Sequence, residues 1–277
     1  MTILVFILAF IASSVAAVLV GKAILNRKFQ GQSDLLLAQT KDISAKIFHS
    51  YQLKGLPQSV QRYFKLVLKD GQPYISNVSF THNGQFKTGL DKGWINITGK
   101  HFATMDKPGF IWMGTTSLFT ARDMFIEDKG RLVVALFSLY KIVDAKGESY
   151  NQGELLRWLG ESVLYPTNLL PSERLEWSAI DYQHSKLIFT YNGISLPFAI
   201  TFNEAGEITQ METKRYMDEK NLETWVINAT DYKSVNDVRI PSRFEVLWRL
   251  EKGDFTYAKF NIQQITYNEA AFLALKV

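Results

Sequence analysis

The sequence contains no cysteine, and this absence excludes several kinds of site at once. Disulfide frameworks, zinc sites built from thiolates and cysteine nucleophiles all need a residue that the chain does not have. The absence does not decide the compartment, because cysteine-free proteins are compatible with either side of a membrane.

Histidine is also scarce, and the chain lacks the common catalytic and cofactor motifs. The four histidines, at positions 49, 82, 101 and 184, form no H-x-x-x-H pair. There is no G-x-S-x-G nucleophile elbow and no G-x-G-x-x-G dinucleotide fingerprint. The stretch GWINITGKH has the wrong glycine spacing for a phosphate loop and places His101 where Ser or Thr is needed. The motifs therefore predict no metal and no cofactor.

Charge of both signs is nearly balanced, with 31 Lys and Arg against 27 Asp and Glu, a net charge of +4. Because there is no long basic run, no nucleic-acid partner is predicted. Hydrophobic residues make up 47%, which is typical of a folded protein. A chain of 277 residues can bury a full core as one β-rich domain.

One long apolar run stands at the N-terminus, ILVFILAFIASSVAAVLV at residues 3–20. As a helix these eighteen residues rise about 27 Å, close to the ~30 Å hydrocarbon core of a bilayer. A cleaved signal peptide, cut after a small-residue site such as Ser14-Val15-Ala16, is the alternative. No basic residue precedes the run, and the apolar sequence continues past that site, so an uncleaved membrane anchor is predicted.

Two helices are expected after the anchor. Residues 31–50 carry Leu36, Ile43 and Ile47 near helical spacing, which predicts a juxtamembrane helix that holds the body off the bilayer. In the second helix Pro57 suits the first turn and Asp70-Gly71 ends it. Its apolar stripe is Val60, Tyr63, Phe64, Val67 and Leu68.

From about residue 74 the hydrophobic period changes from helical spacing to two, as in β-strands. FAITF and ITQMETKRY flank a turn at Gly206, and TWVINATDY, RFEVLWRL and FTYAKFNIQQITY follow after tight turns. Earlier stretches, including GFIWMG and RLVVALFSLY, show the same pattern. Short strands joined by tight turns predict an antiparallel meander rather than βαβ units.

The predicted fold class is therefore mainly β (α+β). A single N-terminal transmembrane helix precedes one large, curved antiparallel sheet packed on an amphipathic helix. The predicted division of the chain is an anchor and its flank at residues 1–30, a juxtamembrane helix or linker at 31–54, and a single β-rich globular domain at 55–277.

The amphipathic helix is predicted from GELLRWLGESVLYPTNLLPS, residues 153–172. Arg157 lies three residues after Glu154 and four before Glu161, so one guanidinium can meet two carboxylates along one face. The adjoining face carries Leu155, Trp158, Leu159 and Ser162. Two interpretations of the charged row stay open. It is either a solvated salt-bridge face, or a group inside a cavity that binds a polar head group or performs acid–base chemistry.

Further charges occur within strand-like runs, namely Arg122 and Asp123 in TARDMF, and Arg239 and Glu245 in VRIPSRFEV. In such positions charges are usually paired across a sheet face.

Six stretches of the sequence together resemble an uncharacterised family of bacterial membrane-anchored proteins, a domain of unknown function. They are GLPQSVQRYF, KPGFIWMG, TARDMF, GELLRWLGESVLYPTNLLPS, TDYKSVNDVRIPSRFEVLW and YAKFNIQQITY. The resemblance runs over residues 55–267, and its most specific part is the string around the helix. At VNDVRIP the family more often has a glycine before the hydrophobic residue, so the turn there departs from the pattern. The family-like positions include Trp112, Asp123, Glu154, Arg157 and Glu161. The resemblance implies an organisation and not a reaction.

A second resemblance is to the lipoprotein-carrier group of folds, in which a curved antiparallel sheet wraps a helix and encloses an apolar cavity. It implies that Leu155, Trp158 and Leu159 face the sheet while the charged row lines the rim. It also implies a location outside the cytoplasmic membrane. Lys22, Arg27 and Lys28, which follow the apolar run, favour the cytoplasmic side instead. The side of the membrane therefore stays open at this point.

Two functions are compatible with the sequence. The favoured one is a membrane-tethered binding module for a lipid or other apolar ligand, held in a cavity under the sheet. The alternative is an enzyme of unspecified reaction that uses the carboxylates and arginine of the helix. The candidate ligand contacts are Glu154, Arg157, Glu161, Asp123, Trp112 and Trp158. The expected partners are the membrane and a lipid or apolar small molecule, and the sequence does not define an oligomeric state.

Overall fold

A computed structural model of the protein describes residues 2–269, in which thirteen strands form one sheet and three α-helices pack on it. The helices are α1 (Thr2–Gln39), α2 (Gln58–Val67) and α3 (Glu148–Gly160). Short 3₁₀ helices lie at Ser50–Leu53, Glu161–Leu164 and Pro166–Leu169. The strands are β1 (Asn77–Phe86), β2 (Ile95–Thr104), β3 (Gly109–Thr115), β4 (Phe119–Ile126), β5 (Lys129–Leu136), β6 (Tyr140–Lys146), β7 (Leu175–Ala179), β8 (His184–Tyr191), β9 (Ile194–Phe202), β10 (Ile208–Tyr216), β11 (Leu222–Val235), β12 (Val238–Leu250) and β13 (Gly253–Tyr267).

The sheet consists of two antiparallel meanders that meet in the middle. Its strand order is β6-β5-β4-β3-β2-β1-β13-β12-β11-β10-β9-β8-β7. Strands β1 and β13 join the meanders, with Phe80 opposite Ile265. The two edge strands, β6 and β7, are connected through α3, so the helix crosses the concave face of the curved sheet. The predicted class, a large curved antiparallel sheet packed on an amphipathic helix, is confirmed.

The main core lies on the concave face, where α2 and α3 pack. The stripe predicted for α2 is buried as expected, and Tyr63 and Phe64 are fully enclosed. Helix α2 ends at Val67, and Leu68 is its C-cap residue. The turn at Gly206 between β9 and β10 is also where the sequence predicts it, with φ of 92°.

A second, smaller core lies on the convex face and is covered by α1. Phe29 and Leu36 from this helix pack on Phe102, Ile111 and Met113 of β2 and β3. The expected separate juxtamembrane helix is therefore corrected, because residues 31–39 continue α1 and lie directly on the sheet. The sequence does not reveal this packing, since the buried positions of α1 include Gly21 and Ser33 as well as apolar residues.

The predicted boundaries of α3 are also corrected. The helix begins five residues earlier than expected, at Glu148, and ends at Gly160 instead of continuing to the proline loop. Its first turn follows Gly147, whose φ of 130° lets the chain leave β6 sharply. The added turn, ESYNQ, carries no apolar stripe, and hydrophobic period alone therefore does not detect it.

The stretch RLVVALFSLY, expected to be one strand, instead contains the end of β5, the turn that follows it and the first residue of β6. Phe137 and Ser138 both adopt left-handed backbone conformations, with φ of 50° and 61°. Asn and Gly are the usual residues in such turns, and their absence here explains why sequence pattern alone misses the turn.

Candidate functional site

A cavity of about 610 Å³ lies between α3 and the concave face of the sheet. Gly153, Glu154, Arg157, Gly160 and Glu161 of α3 and its C-cap line it. Their spacing of three to four residues places them on one side of the helix. The charged row therefore faces an internal cavity and is not a solvated outer surface.

Two glycines let α3 lie close to the strands on the cavity side. A Cβ atom at Gly160 would be 2.5 Å from Cδ1 of Ile227 in β11. At Gly153 a Cβ would lie 3.3 Å from Nε of Arg215 in β10. The small residues thus set how near the helix approaches the sheet.

Arg157 is the centre of one ion-pair group. Its Nε donates to Oε1 of Glu161 at 2.9 Å, and its Nη1 donates to Oδ2 of Asp123. The guanidinium also lies 4.7 Å from the centre of the Trp112 ring. Trp112 and Asp123 are paired directly across β3 and β4, so the register of these strands aims both side chains at Arg157.

Glu154 belongs to a second ion pair, which corrects the expected three-residue row. Its Oε1 lies 3.6 Å from Nη2 of Arg215, while Nε of Arg215 donates to the Gly153 carbonyl at 3.0 Å. The Arg215 guanidinium covers the Trp225 ring at 4.5 Å. Arg215 was missed in the sequence, although it shares the inward side of β10 with Met211 and Thr213, at a spacing of two residues.

Burial and like charge change the protonation of the carboxyl groups. Burial, with the nearby Asp123 charge as a second cause, raises the pKa of Glu154 to about 8. Burial likewise raises the pKa of Asp123, although Arg157 and Arg215 oppose the rise. Burial alone lowers the pKa of Arg157, but Glu161 and Asp123 more than offset it, and the net shift is upward. The cluster of Asp123, Glu154 and Glu161 with Arg157 and Arg215 has one carboxyl more than it has guanidiniums, and the raised pKa of Glu154 favours its neutral form at neutral pH.

Two neutral histidines lie beneath this cluster. Burial is the main cause that lowers the pKa of both side chains, and the charge of Arg157 lowers it further. The pKa of His82 falls to about 3. His101 is stacked between Phe80 and Phe110, at ring distances of 4.4 and 5.3 Å. Trp112 donates from Nε1 to Nε2 of His82 at 2.7 Å, which assigns the His82 proton to Nδ1.

Two carboxyl oxygens of the cluster are buried without a hydrogen-bond partner in the part of the chain that the structure describes. Among the described residues, Oε2 of Glu154 and Oε2 of Glu161 are buried and have no hydrogen-bond partner. Nδ1 of His101 lies 3.4 Å from Oε2 of Glu161. Both atoms have almost no accessible surface, so a polar group in the cavity would reach them only after the side chains move.

The rest of the cavity wall is mostly apolar and comes from strands of both meanders. Its members include Phe80, Phe86, Ile97, Phe119, Leu132, Val134, Trp225, Ile227, Phe244, Val246, Trp248, Phe255, Tyr257, Phe260 and Ile262. Within residues 2–269, no group of three or more His, Asp or Glu side chains is placed to hold a metal ion.

Trp158 lies on the opposite side of α3, away from the cavity, which corrects its candidacy as a ligand contact. Its ring is fully buried against Phe189, with ring centres 5.4 Å apart, and its Nε1 donates to the Thr104 carbonyl at 3.0 Å. It therefore joins helix to sheet, as its position beside Leu155 and Leu159 predicts.

The other charges noted in the strands lie outside the cavity. Arg239 pairs with Glu207 at 2.6 Å and Lys259 with Glu245 at 2.8 Å. Arg122 projects to the convex face, where it donates to Gln32 of α1 at 2.9 Å.

Residues 46–260 match the model of a family of unknown function, DUF6544. Because the match covers most of the chain, the protein belongs to that family. It includes α2, α3 and all the charged residues of the cavity cluster. No curated protein sequence matches this chain.

Solved structures with some similarity include a LolA superfamily protein from Nitrosomonas europaea. It is 9% identical, with a TM-score of 0.43, covering 76% of this chain and 92% of that one. A putative outer membrane lipoprotein-sorting protein domain from Vibrio parahaemolyticus is 12% identical, with a TM-score of 0.39, covering 70% and 86%. Both similarities are weak and concern the fold alone.

Proposed function

We propose that the protein is a membrane-tethered binding module for a lipid or another single-chain amphiphile. The observation that carries the proposal is the cavity of about 610 Å³ under the sheet, whose walls are largely apolar and whose charges are collected on one side of α3. This volume lies within the usual range of small-molecule sites, roughly 300–1,000 Å³.

The distribution of charge favours a ligand with one polar end. The guanidiniums of Arg157 and Arg215 are already paired with carboxylates and stacked on tryptophans. The apolar chain of a ligand would therefore meet few unpaired charges. Glu154 and Glu161 line the cavity, and after a change of side-chain conformation their carboxyl groups would accept hydrogen bonds from a hydroxyl or ammonium head group. Trp225 and Trp248 would then pack along the chain that follows the head group.

The tether is the N-terminal half of α1. Residues 2–20 are almost entirely exposed and apolar, and α1 is long and apolar enough to cross a membrane. As a helix they extend about 28 Å, which matches the ~30 Å hydrocarbon core. We place this segment in the bilayer, with the sheet domain at the membrane surface.

Native mass spectrometry of the full-length protein, extracted in detergent and then stripped of it in the gas phase, tests the binding function. We expect a co-purifying lipid mass on the parent protein. Val246 lines the cavity, so Val246→Trp should fill the cavity and abolish that mass. Ile180→Trp, at an exposed turn, is the matched control and should keep it. A parent protein that is always empty, and that binds no fluorescent fatty acid, would overturn the proposal.

A second function, acid–base catalysis, is favoured by one observation: Glu154 is a buried carboxyl with a pKa raised to about 8 beside an apolar cavity. Glu154→Gln separates the two functions. In a binding module, the parent and Glu154→Gln should carry the same bound species. In an enzyme, the variant should hold unconverted ligand, while the parent converts it. Mass spectrometry of the bound species distinguishes the two results.

A further inference from the structure

The hairpin tip between β5 and β6 is an exposed apolar surface that contacts α1. We define the tip patch as Leu118, Phe137, Leu139 and Tyr140. All four side chains are exposed, Tyr140 to 67%. The Phe137 amide donates to the Leu118 carbonyl at 2.7 Å, so the β3–β4 and β5–β6 loops form one continuous surface.

The tip patch meets α1 where the helix leaves the domain. A Cβ atom at Gly21 would lie 2.7 Å from the Ser138 carbonyl oxygen and 2.8 Å from Cδ2 of Leu139. Gly21 is buried, while residues 2–20 before it are free of the domain. Since those residues are about long enough to cross the hydrocarbon core, the contact at Gly21 falls at the level of the lipid head groups.

The tip backbone is held in a conformation that its side chains disfavour. Phe137 and Ser138 have φ of 50° and 61°, and a bulky residue rarely adopts a left-handed conformation. The β8–β9 hairpin uses Asn192-Gly193 in the same conformation, without that conflict. An aromatic residue kept exposed at a strained turn is typical of a functional contact.

The opening of the cavity continues from this patch. Ile142 and Val143 of the edge strand β6 line the cavity and are also exposed, Ile142 to 58%, so they form the apolar part of its rim. Thr88, Met217 and Asp218 are exposed lining residues elsewhere on the rim. Ile142 is two residues beyond Tyr140, a distance of about 7 Å along a strand.

We propose that the tip patch rests in the surface of the bilayer and sets the apolar part of the cavity rim, at Ile142 and Val143, beside the lipid. The partner is the lipid surface itself, and the entry of lipid along this path rests on the proposed binding function. Three features support a bilayer as the occupant: continuity with the apolar half of α1, exposed aromatic and aliphatic side chains, and Lys22 next to Gly21 at head-group level.

Because the chain has no cysteine, a single introduced thiol can be labelled without background. Phe137→Cys and Tyr140→Cys in the full-length protein would each carry an environment-sensitive NBD fluorophore in phosphatidylcholine–phosphatidylglycerol vesicles. Ile180→Cys, equally apolar and exposed but beside the opposite edge strand β7, is the control. We expect a blue shift and quenching by shallow spin-labelled lipids at both tip positions, and neither effect at Ile180. Tip labels that behave like the control would overturn the proposal.

A second variant separates the membrane contact from ligand binding. Phe137→Asp with Leu139→Asp should slow the loading of a fluorescent fatty acid from vesicles and leave its binding from detergent solution unchanged. Unchanged loading from vesicles would contradict entry beside the tip. Failure of the parent protein to bind the probe from either source would refute the binding function alone, and the quenching result would still decide the membrane contact.

Discussion

Arg157 is paired with two carboxylates that come from different parts of the chain, Glu161 four residues later and Asp123 on β4. The side chains of Arg157 and Asp123 are only 12% and 18% exposed. Such a pair is poorly solvated, and removing one partner leaves a buried charge without compensation. At the level of single residues, the stability of the cavity wall therefore depends on charge balance as much as on apolar contact.

Replacing Arg157 tests this balance. We expect Arg157→Ala to lower the free energy of unfolding by about 3–5 kcal/mol, because Asp123 and Glu161 are left as unpaired, buried like charges. Arg157→Lys should restore little, since an ammonium cannot present a planar fork to two carboxylates. Urea unfolding of the protein lacking residues 2–20, monitored by tryptophan fluorescence, measures the stability of both Arg157 variants.

Arg131→Ala is the control for Arg157. Arg131 forms a two-bonded pair with Asp144, but its side chain is 46% exposed. Exposed pairs contribute about 0–1 kcal/mol, so this variant should unfold close to the parent. Equal stability of all three variants would show that the Arg157 pairs are solvated in solution.

The raised pKa of Glu154 makes stability depend on pH. Its pKa is about 8 in the folded protein against a usual 4.5, so the folded state binds more protons between these values. The stabilising contribution is present below pH 4.5 and is lost as the pH rises through about 8. We expect Glu154→Gln, which keeps the neutral shape, to reduce the fall in melting temperature across this window.

Glu245→Gln provides the comparison, because Glu245 is an exposed partner of Lys259 outside the cavity. It should leave the pH profile of the parent unchanged. Asp123, whose pKa is also raised by burial, contributes a slope of the same sign, so Glu154→Gln should flatten the profile without abolishing it. An identical slope in parent and Glu154→Gln would mean that Glu154 is ionised at neutral pH in the folded state.

At the scale of elements, α3 lies between the core and the cavity, and its two faces differ. One face, with Leu155, Trp158 and Leu159, closes the core, and the other carries the charges of the cavity. Because α3 connects the two edge strands, it crosses the concave side of the sheet and closes the core there together with α2. Its core face is therefore expected to contribute strongly to stability.

Trp158→Ala tests the core face of α3. We expect a loss of about 3–5 kcal/mol, the usual cost of truncating a fully buried large aromatic residue. The lost hydrogen bond to the Thr104 carbonyl acts in the same direction. Trp94→Ala, on a half-exposed tryptophan near Lys87, should cost less than about 1 kcal/mol. Chemical denaturation of the two variants compares them directly, and similar small losses would argue against the core orientation of the helix.

The sequence predicts elements well where their pattern is local. The stripe of α2, the turn at Gly206 and the two faces of α3 all follow from spacing within about ten residues. The pairing of Arg215 with Glu154 could not be predicted from the sequence. The contact between α3 and β10 depends on how the whole sheet curves around the helix. The β5–β6 turn was missed because Phe137 and Ser138 give no local turn signal, and the strain is maintained by the surrounding sheet.

At the scale of the whole molecule, α1 has two roles that divide near Gly21. Before it, the exposed apolar residues are free of the domain, and after it Phe29 and Leu36 are buried on the convex face. The helix is thus both the proposed tether and part of the fold. If residues 2–20 span a membrane as proposed, the burial of the second half of the same helix would fix the angle between the span and the domain.

Two truncations separate these roles. Deleting residues 2–20 should release a soluble, folded protein, because the deleted residues make almost no contact with the domain. Deleting residues 2–39 also removes Phe29 and Leu36, whose burial contributes about 3–6 kcal/mol at roughly 1.5–3 kcal/mol each. It exposes Phe102, Ile111 and Met113 as well, so the longer truncation should melt at a lower temperature and aggregate. Sedimentation and circular dichroism of both proteins measure this, with a strand-dominated spectrum expected for the shorter truncation. Full-length protein in the detergent-free soluble fraction would contradict the tether, and equal melting of the two truncations would show that residues 21–39 are not part of the fold.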